Sequence, residues 1–346
     1  MIIIRKSFSS REKKLEREKN AYIKQFTLYL LDENATDHFV LSKKTEIIAA
    51  AEALGEIIVL LDQEKADKAI LLTEKLSIDT ALITFYKKAF FTAHKVYYIS
   101  LMTNLPTKRL HHFYESLLSE KDIFPVIKKQ ALYGFTTLVS SQKDLERIWL
   151  WLKTITETDT ISLKFSEFIA KSAMENSQKE YLLDFFASFV TPNKSISASL
   201  SFIAAAGDTK FSFLQENLLQ MHTDITDTNS MLNTNILRAL QKMQTKSCKV
   251  VNDLYLSFDT VTKITLARVG LDLCPCHGFE KLYIYLFDKN YYVRRNIGLS
   301  LIKHKIDREK IIDWVSQKAP SKMNDLYFND FLSLPELQNK EYSHDK

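Results

Sequence analysis

Glycine and proline are scarce in this sequence, with six of each among 346 residues. Tight β-hairpin turns and the loops that cradle phosphate groups depend on glycine above all. Their scarcity argues against a hairpin-rich fold and against a glycine-rich nucleotide loop. Helices joined by short connections suit such a composition best, and we predict an all-α fold.

Cysteine is scarcer still, with three residues at positions 248, 274 and 276. An odd number without framework spacing indicates a reducing compartment, so we expect a cytoplasmic protein. The run Cys274-Pro275-Cys276-His277 is the one metal-like cluster. A structural zinc site normally takes two ligands from each of two knuckles, and no second such pair exists. We interpret the run as a turn between paired helices, and predict neither a metal nor another cofactor.

Most of the chain lacks an excess of charge of one sign. The whole sequence has a formal net charge of +5. Nearly all of that excess lies in residues 1–20, which contain seven basic residues and three glutamates. Folds that bind nucleic acid usually carry a basic stripe, so we do not expect nucleic acid as a partner. The basic residues of the N-terminal segment are Arg5, Lys6, Arg11, Lys13, Lys14, Arg17 and Lys19.

The apolar run at the N-terminus is far too short for a membrane span, which needs roughly 20 residues. Met1–Ile4 is an apolar tetrad that the basic segment follows directly. Two interpretations are open: a frayed terminus, or the end of a membrane anchor with a cytoplasmic basic flank. Basic residues beside a membrane favour its cytoplasmic face and anionic lipids, by about 1 kcal/mol each. The second interpretation makes an anionic membrane surface a partner of this segment.

Apolar residues recur at helical spacing along the chain, which predicts a series of helices. A helix over Ser195–Ala206 is expected to end at Gly207, a residue suited to a left-handed cap. The polar stretch Thr223–Ser230 is the candidate hinge between two arrays. We predict four regions: a basic N-terminal helix at 1–33, an irregular helical array at 34–222, helical repeats at 231–334 and a flexible tail at 335–346.

The clearest internal sequence repeat lies in the third of these regions, residues 231–334. Phe258-Asp259 and, further along the chain, Phe287-Asp288 each open a predicted helix. After the second pair, an apolar residue occurs at every fourth position, and these residues form one stripe along the predicted helix. Gly298 lies beside the stripe, where it would permit the close approach of a neighbouring helix. Helix pairs that recur roughly every 30 to 45 residues are typical of an α-solenoid. The stripe consists of Val293, Ile297 and Leu301.

Polar and aromatic residues at these helix starts are the candidate site. Asp259 and Asp288 are expected to cap their helices. An arginine of the second helix is expected to pair with Asp259 and so to tie neighbouring units together. The alternative is that tyrosine and arginine side chains form an exposed hot spot for a protein partner. The candidate residues are Tyr291, Tyr292, Arg294 and Arg295.

The run Asp288-x-x-Tyr291-Tyr292-Val293-Arg294, followed by Gly298 and Leu301, resembles the first helix of a HEAT repeat, an armadillo-like α-solenoid unit. Val261–Gly270 is similar but looser, with lysine in place of the arginine. The resemblance covers only these two stretches and their second helices, and it implies an α–α superhelix of antiparallel helix pairs. Similar runs occur in bacterial HEAT-repeat proteins with an N-terminal membrane helix, often encoded beside glycosyltransferases of exopolysaccharide synthesis. Here tyrosines replace the tryptophan pair that is more usual there.

Two functions follow as expectations. The first is a non-enzymatic scaffold that binds a protein partner, with attachment to the cytoplasmic face of the membrane as one option. The second is a HEAT-like DNA glycosylase that cradles duplex DNA and acts on an alkylated base through an aromatic residue and an acid. Phosphate contacts need a basic groove, so the nearly neutral body of the chain favours the scaffold.

Overall fold

A computed structural model shows that the protein is all-α in the residues it describes, which confirms the predicted fold class. No strand occurs within that part of the chain. The chain divides into two compact units, Met1–Asp144 and Leu145–Lys346. The described residues are 2–31, 39–158, 163–190, 196–224, 230–257 and 259–338.

The first unit is built around α2, which packs against α1, α3, α4 and α5. Its sequence explains this central position, because the small buried residues Ala49, Ala50 and Ala53 let neighbouring helices approach closely. Phe26 of α1 is fully buried. The helices are α1 (Ile2–Leu31), α2 (Lys44–Ile58), α3 (Gln63–Lys75), α4 (Ile78–Lys88), α5 (Thr92–Thr103), α6 (Lys108–Ser119) and α7 (Pro125–Thr136).

The second unit is a serial stack, in which α9, α11, α13, α15 and α17 pack each on the next. The last three begin at Ser230, Thr260 and Tyr291, so their starts recur at a nearly constant spacing. Its helices are α8 (Gln142–Thr158, which begins at the end of the first unit), α9 (Leu163–Glu175), α10 (Lys179–Ser188), α11 (Ile196–Thr209), α12 (Gln215–Asp224), α13 (Ser230–Lys242), α14 (Cys248–Leu254), α15 (Thr260–Leu273), α16 (Gly278–Leu282), α17 (Tyr291–Lys303), α18 (Arg308–Lys318), α19 (Leu326–Leu332) and α20 (Pro335–Gln338). Short 3₁₀ turns span Ser212–Leu214, Tyr283–Phe287 and Pro320–Lys322.

Gly207 does not end a helix, contrary to the sequence prediction. Helix α11 continues through it to Thr209. A Cβ atom at Gly207 would lie 2.7 Å from Ala239 Cα of α13 and 3.1 Å from its Cβ. Glycine is therefore needed here for the close approach of two stacked helices.

Gly298 has the packing role that its position predicted. A Cβ atom there would lie 3.2 Å from Cε2 of Phe331, in α19. The apolar stripe beside it is fully buried, at Val293, Ile297 and Leu301. The first turn of the expected tail forms α20, which packs on α17. Residues 225–229 of the expected hinge and residues 339–346 of the tail lie outside the described part of the chain.

Candidate functional site at the first turns of α15, α17 and α19

Within the described residues, four helices of the second unit (α15, α17, α18 and α19) begin at a residue whose short polar side chain accepts a hydrogen bond from the first turn. Such caps satisfy backbone donors that the start of a helix leaves unpaired. The structure places Asp259 at one of these positions. The cap residues of α15, α17 and α19 are Asp259, Asn290 and Asp325, which accept from the N–H groups of Thr262, Tyr292 and Tyr327 at 2.6, 2.8 and 2.9 Å.

Asp288 does not cap α17, and the prediction that it would is wrong. Asn290, two residues further on, takes that position. The Asp288 carboxylate instead accepts from the backbone N–H of Asn290 at 2.8 Å and from Lys263 Nζ at 3.0 Å. Its side chain is 11% exposed. Asp288 therefore links α15 to the segment that leads into α17.

In α15 and α17, the basic residue four positions after the cap pairs with an acid further along the chain. Lys263 follows Asp259 by four positions and reaches Asp288. Arg294 follows Asn290 by four positions and pairs with Asp330 of α19. The expected pairing of an arginine with Asp259 is therefore replaced by a pairing in the opposite direction, from Arg294 towards α19.

Arg294 is a packing residue rather than part of an exposed patch, because it is 3% exposed. Its guanidinium donates to the backbone carbonyls of Asp288 at 2.7 Å and Lys289 at 3.1 Å. It also lies 5.3 Å from the ring centroid of Tyr327. These contacts hold the first turns of α17 and α19 beside each other. Arg295 is half-buried and has contacts of its own.

Large apolar side chains are exposed at the first turns of α15, α17 and α19. Two of them, Tyr291 and Tyr292, pack edge to face with ring centroids 5.6 Å apart. Scattered exposed apolar residues are normal, but adjacent ones mark interaction surfaces. We call this set of side chains the aromatic edge. It consists of Val261, Tyr291, Tyr292, Leu326 and Tyr327, which are 50, 46, 61, 77 and 40% exposed.

The opposite ends of the stacked helices carry ionic contacts. Asp208 of α11 pairs with Lys242 of α13, and Asp272 of α15 accepts from Lys303 Nζ at 2.6 Å and His304 Nε2 at 3.0 Å. Burial raises the pKa of Asp272, but the hydrogen bonds from Lys303, Gln241 and His304 outweigh it and hold the pKa below its ordinary value. A cleft of about 350 Å³ lies here, lined by Gln241, Lys242, Gln244, Lys246, Asp272 and Lys303. The lysines that line this cleft therefore already bind carboxylate or carbonyl oxygens of the stacked helices.

All three cysteines meet beside this end of α15, which sequence reasoning missed. Residues 275–277 form the expected turn between α15 and α16. Cys248, from the start of α14, joins them: it forms a disulfide with Cys274, and its Sγ lies 3.5 Å from Cys276 Sγ. The three sulfur atoms lie within 4.8 Å of one another. No local spacing signals this, because Cys248 and Cys274 are separated by 26 positions in the sequence.

The N-terminal basic residues lie on α1, a helix of 30 residues. Lys19 pairs with Glu16 and with Glu56 of α2, each at 3.1 Å, and Lys14 lies 3.8 Å from Glu18. Lys13 and Arg17 are both exposed. Neighbouring glutamates thus compensate part of the positive charge. The side chains of Arg5, Lys6 and Arg11 lie outside the described residues.

Two of the three tryptophans pack against other aromatic side chains. Trp149 is 2% exposed and meets Phe189 edge to face at 5.0 Å. Trp314 packs against Phe279 and Tyr283 at 4.9 and 4.7 Å. Trp149 is buried and Trp314 is partly exposed within its aromatic cluster, and among the described residues neither has a basic groove around it that would support the glycosylase hypothesis.

Comparison with protein-family models, curated proteins and solved structures finds no match to this chain. Within the described residues, no helix combines the length and the apolar character required to cross a membrane.

Proposed function

We propose that the protein is a non-enzymatic, HEAT-like scaffold that binds a protein partner through the aromatic edge. One observation carries the proposal: the first turns of α15, α17 and α19 present Val261, Tyr292 and Tyr327 at the same position, two residues after the cap, and all three are exposed. Tyrosine is enriched at the energetic centres of interfaces because its ring buries a large area at little cost in conformational entropy.

The surroundings of the aromatic edge suggest the chemistry of its partner. Lys289, beside Tyr291 and Tyr292, is exposed, and Lys322 lies 5.6 Å from the ring centroid of Phe287 in the segment between α16 and α17. The nearby acids Asp288 and Asp330 are paired with Lys263 and Arg294. A partner segment with aliphatic or aromatic anchors flanked by acidic residues fits this surface best.

The test compares three forms of the full chain. A partner isolated with the wild type is titrated against the wild type, against Tyr291→Ser/Tyr292→Ser and against the matched control Leu163→Ser, an equally exposed apolar residue at the start of α9. Hot-spot residues contribute at least ~2 kcal/mol each, or roughly 30-fold in affinity. We expect the double substitution to weaken binding by this factor or more and the control to leave it unchanged. Equal affinity of all three forms would refute the proposal.

We further propose that this scaffold acts in the cytoplasm, with α1 at the inner face of the membrane beside a polysaccharide-export system. The accessible side chains of Lys13 and Lys14 support it, since basic residues attract anionic lipid headgroups. The test is sedimentation with vesicles of phosphatidylserine and phosphatidylcholine. Lys13→Glu/Lys14→Glu should reduce bound protein at low salt, whereas Lys87→Glu/Lys88→Glu, on α4, should not. Equal binding by both variants would contradict a membrane role for α1.

A further inference from the structure

The cysteine cluster is the one place in the described part of the chain where the fold collects metal-binding thiols from separate segments. The sequence contains three cysteines, and all three sulfur atoms meet. Burial is graded across the cluster: Cys274 is buried, Cys248 is partly buried and Cys276 is exposed. The cluster lies away from the aromatic edge, beyond the C-terminal end of α15, so the proposed function does not explain it.

Backbone contacts hold the cluster together independently of any bond between the sulfurs. The N–H of Ser247, next to Cys248, donates to the carbonyl of Leu273, next to Cys274, at 2.8 Å. The N–H of Gly278 donates to the carbonyl of Cys274 at 2.9 Å, which folds Cys276 back towards α15. Cys248 and Cys274 have Cα atoms 4.6 Å apart. The thiols therefore stay close together when the disulfide is open.

We propose that the reduced cluster is a binding site for one thiophilic divalent metal ion, with Zn²⁺ as the probe. Zinc binds thiolate sulfur at about 2.3 Å in a tetrahedral arrangement, which places sulfur atoms about 3.8 Å apart. The Cys248–Cys276 separation of 3.5 Å is close to that value, and reduction of the disulfide frees the Cys274 sulfur, which lies within 4.8 Å of both others. Three thiolates near one another repel, and a divalent cation removes that repulsion.

The chemistry requires two balanced steps. A dithiol reductant first donates two electrons and two protons to the Cys248–Cys274 disulfide and is itself oxidised to a disulfide. The three thiols then release three protons as they bind the ion, so uptake is coupled to proton release and weakens at low pH. The exposed position of Cys276 leaves the fourth coordination position open to a water molecule, as in zinc sites that have three protein ligands.

The experiment titrates Co²⁺ into the reduced, anaerobic full-length protein and follows thiolate-to-cobalt absorption, with displacement by Zn²⁺. Cys276→Ser is the main test variant, because its exposed side chain can change without disturbing the core. Ser247→Ala is the matched control, since the nearby backbone hydrogen bond persists without the hydroxyl group. Circular dichroism verifies that each variant is folded.

We expect one equivalent of ion per chain in the wild type and in Ser247→Ala, and loss of the charge-transfer band in Cys276→Ser. Zn²⁺ should also raise the melting temperature of the reduced wild type and not that of Cys276→Ser. The proposal is overturned if the folded, reduced wild type shows no thiolate-to-cobalt absorption. It is equally overturned if Cys276→Ser binds as tightly as the wild type.

Discussion

The substitution Gly207→Ala tests whether α11 and α13 stack as described, because the sign of its effect on stability depends on that contact. Alanine in the interior of a helix is about 1 kcal/mol more favourable than glycine, so Gly207→Ala would stabilise an isolated or exposed helix. Here the added Cβ would lie 2.7 Å from Ala239 Cα. That atom belongs to the backbone, so no side-chain rotation relieves the clash.

The magnitude follows from the separation that the substitution requires. Carbon atoms make favourable contacts at about 3.5 to 4.0 Å, so α11 and α13 must move apart by about 1 Å. Overpacking of this kind costs about 1 to 3 kcal/mol, and a backbone contact places Gly207→Ala towards the upper end. After the gain in helix propensity is subtracted, we expect a net loss of about 2 kcal/mol.

Urea unfolding followed by circular dichroism measures this loss as a lower midpoint with an unchanged slope. Ala204→Gly, at a half-exposed position of the same helix, calibrates the propensity effect at about 1 kcal/mol. Ala239→Gly should recover part of the loss in the double variant, because it removes the atom 3.1 Å from the new Cβ. A more stable Gly207→Ala protein would refute the stacking of α11 on α13.

Three further predictions concern single polar groups. Asn290→Ala should lower the free energy of unfolding by about 1 kcal/mol through loss of the α17 cap, whereas Asn290→Asp should retain it, as urea midpoints will show. Asp330→Ala should cost about 1 to 2 kcal/mol because it removes the carboxylate partner of the buried Arg294, while Asp313→Ala, an exposed acid on α18, should change the midpoint little. Burial raises the pKa of Asp144, but hydrogen bonds from His111, Ser140 and Ser141 outweigh it and lower the pKa to about 2. The folded-state pKa lies below the unfolded value of about 3.9, so the stabilisation is present above about pH 4 and is lost as the pH falls towards 2, by about 2 to 3 kcal/mol. Asp144→Asn should remove that part of the acid dependence, which urea midpoints measured across this pH range will show.

The helical class was predictable because it rests on composition and on local periodicity. Few glycines and prolines exclude many turns, and the buried stripe of Val293, Ile297 and Leu301 follows directly from the helical period. The cap of α17 was not predictable in the same way. Asp288 and Asn290 both have capping side chains, and only the backbone conformation shows that Asn290 occupies the position.

Contacts between distant segments account for the other differences. The internal sequence repeat aligns Asp259 with Asp288. The caps of the two helices are instead Asp259 and Asn290, so α17 begins two positions later than the repeat predicts. Lys263 and Arg294 each follow their cap by four positions, and each pairs with an acid further along the chain, a contact that depends on how the helices pack. Gly207 was assigned to a helix end because glycine commonly occupies that position, and its contact with α13 is visible only once that helix is packed against α11.

The aromatic edge depends on the first turns of α15 and α17 lying side by side, and a double-mutant cycle on Lys263 and Asp288 tests this most directly. Lys263→Met and Asp288→Asn each remove one charge, and asparagine can still accept from the N–H of Asn290. Urea unfolding of the wild type, the two single variants and the double variant gives the interaction energy. We expect a coupling of about 0.5 to 3 kcal/mol, since the two charged atoms lie 3.0 Å apart in a largely shielded setting. Single effects that add to within about 0.3 kcal/mol would contradict the account.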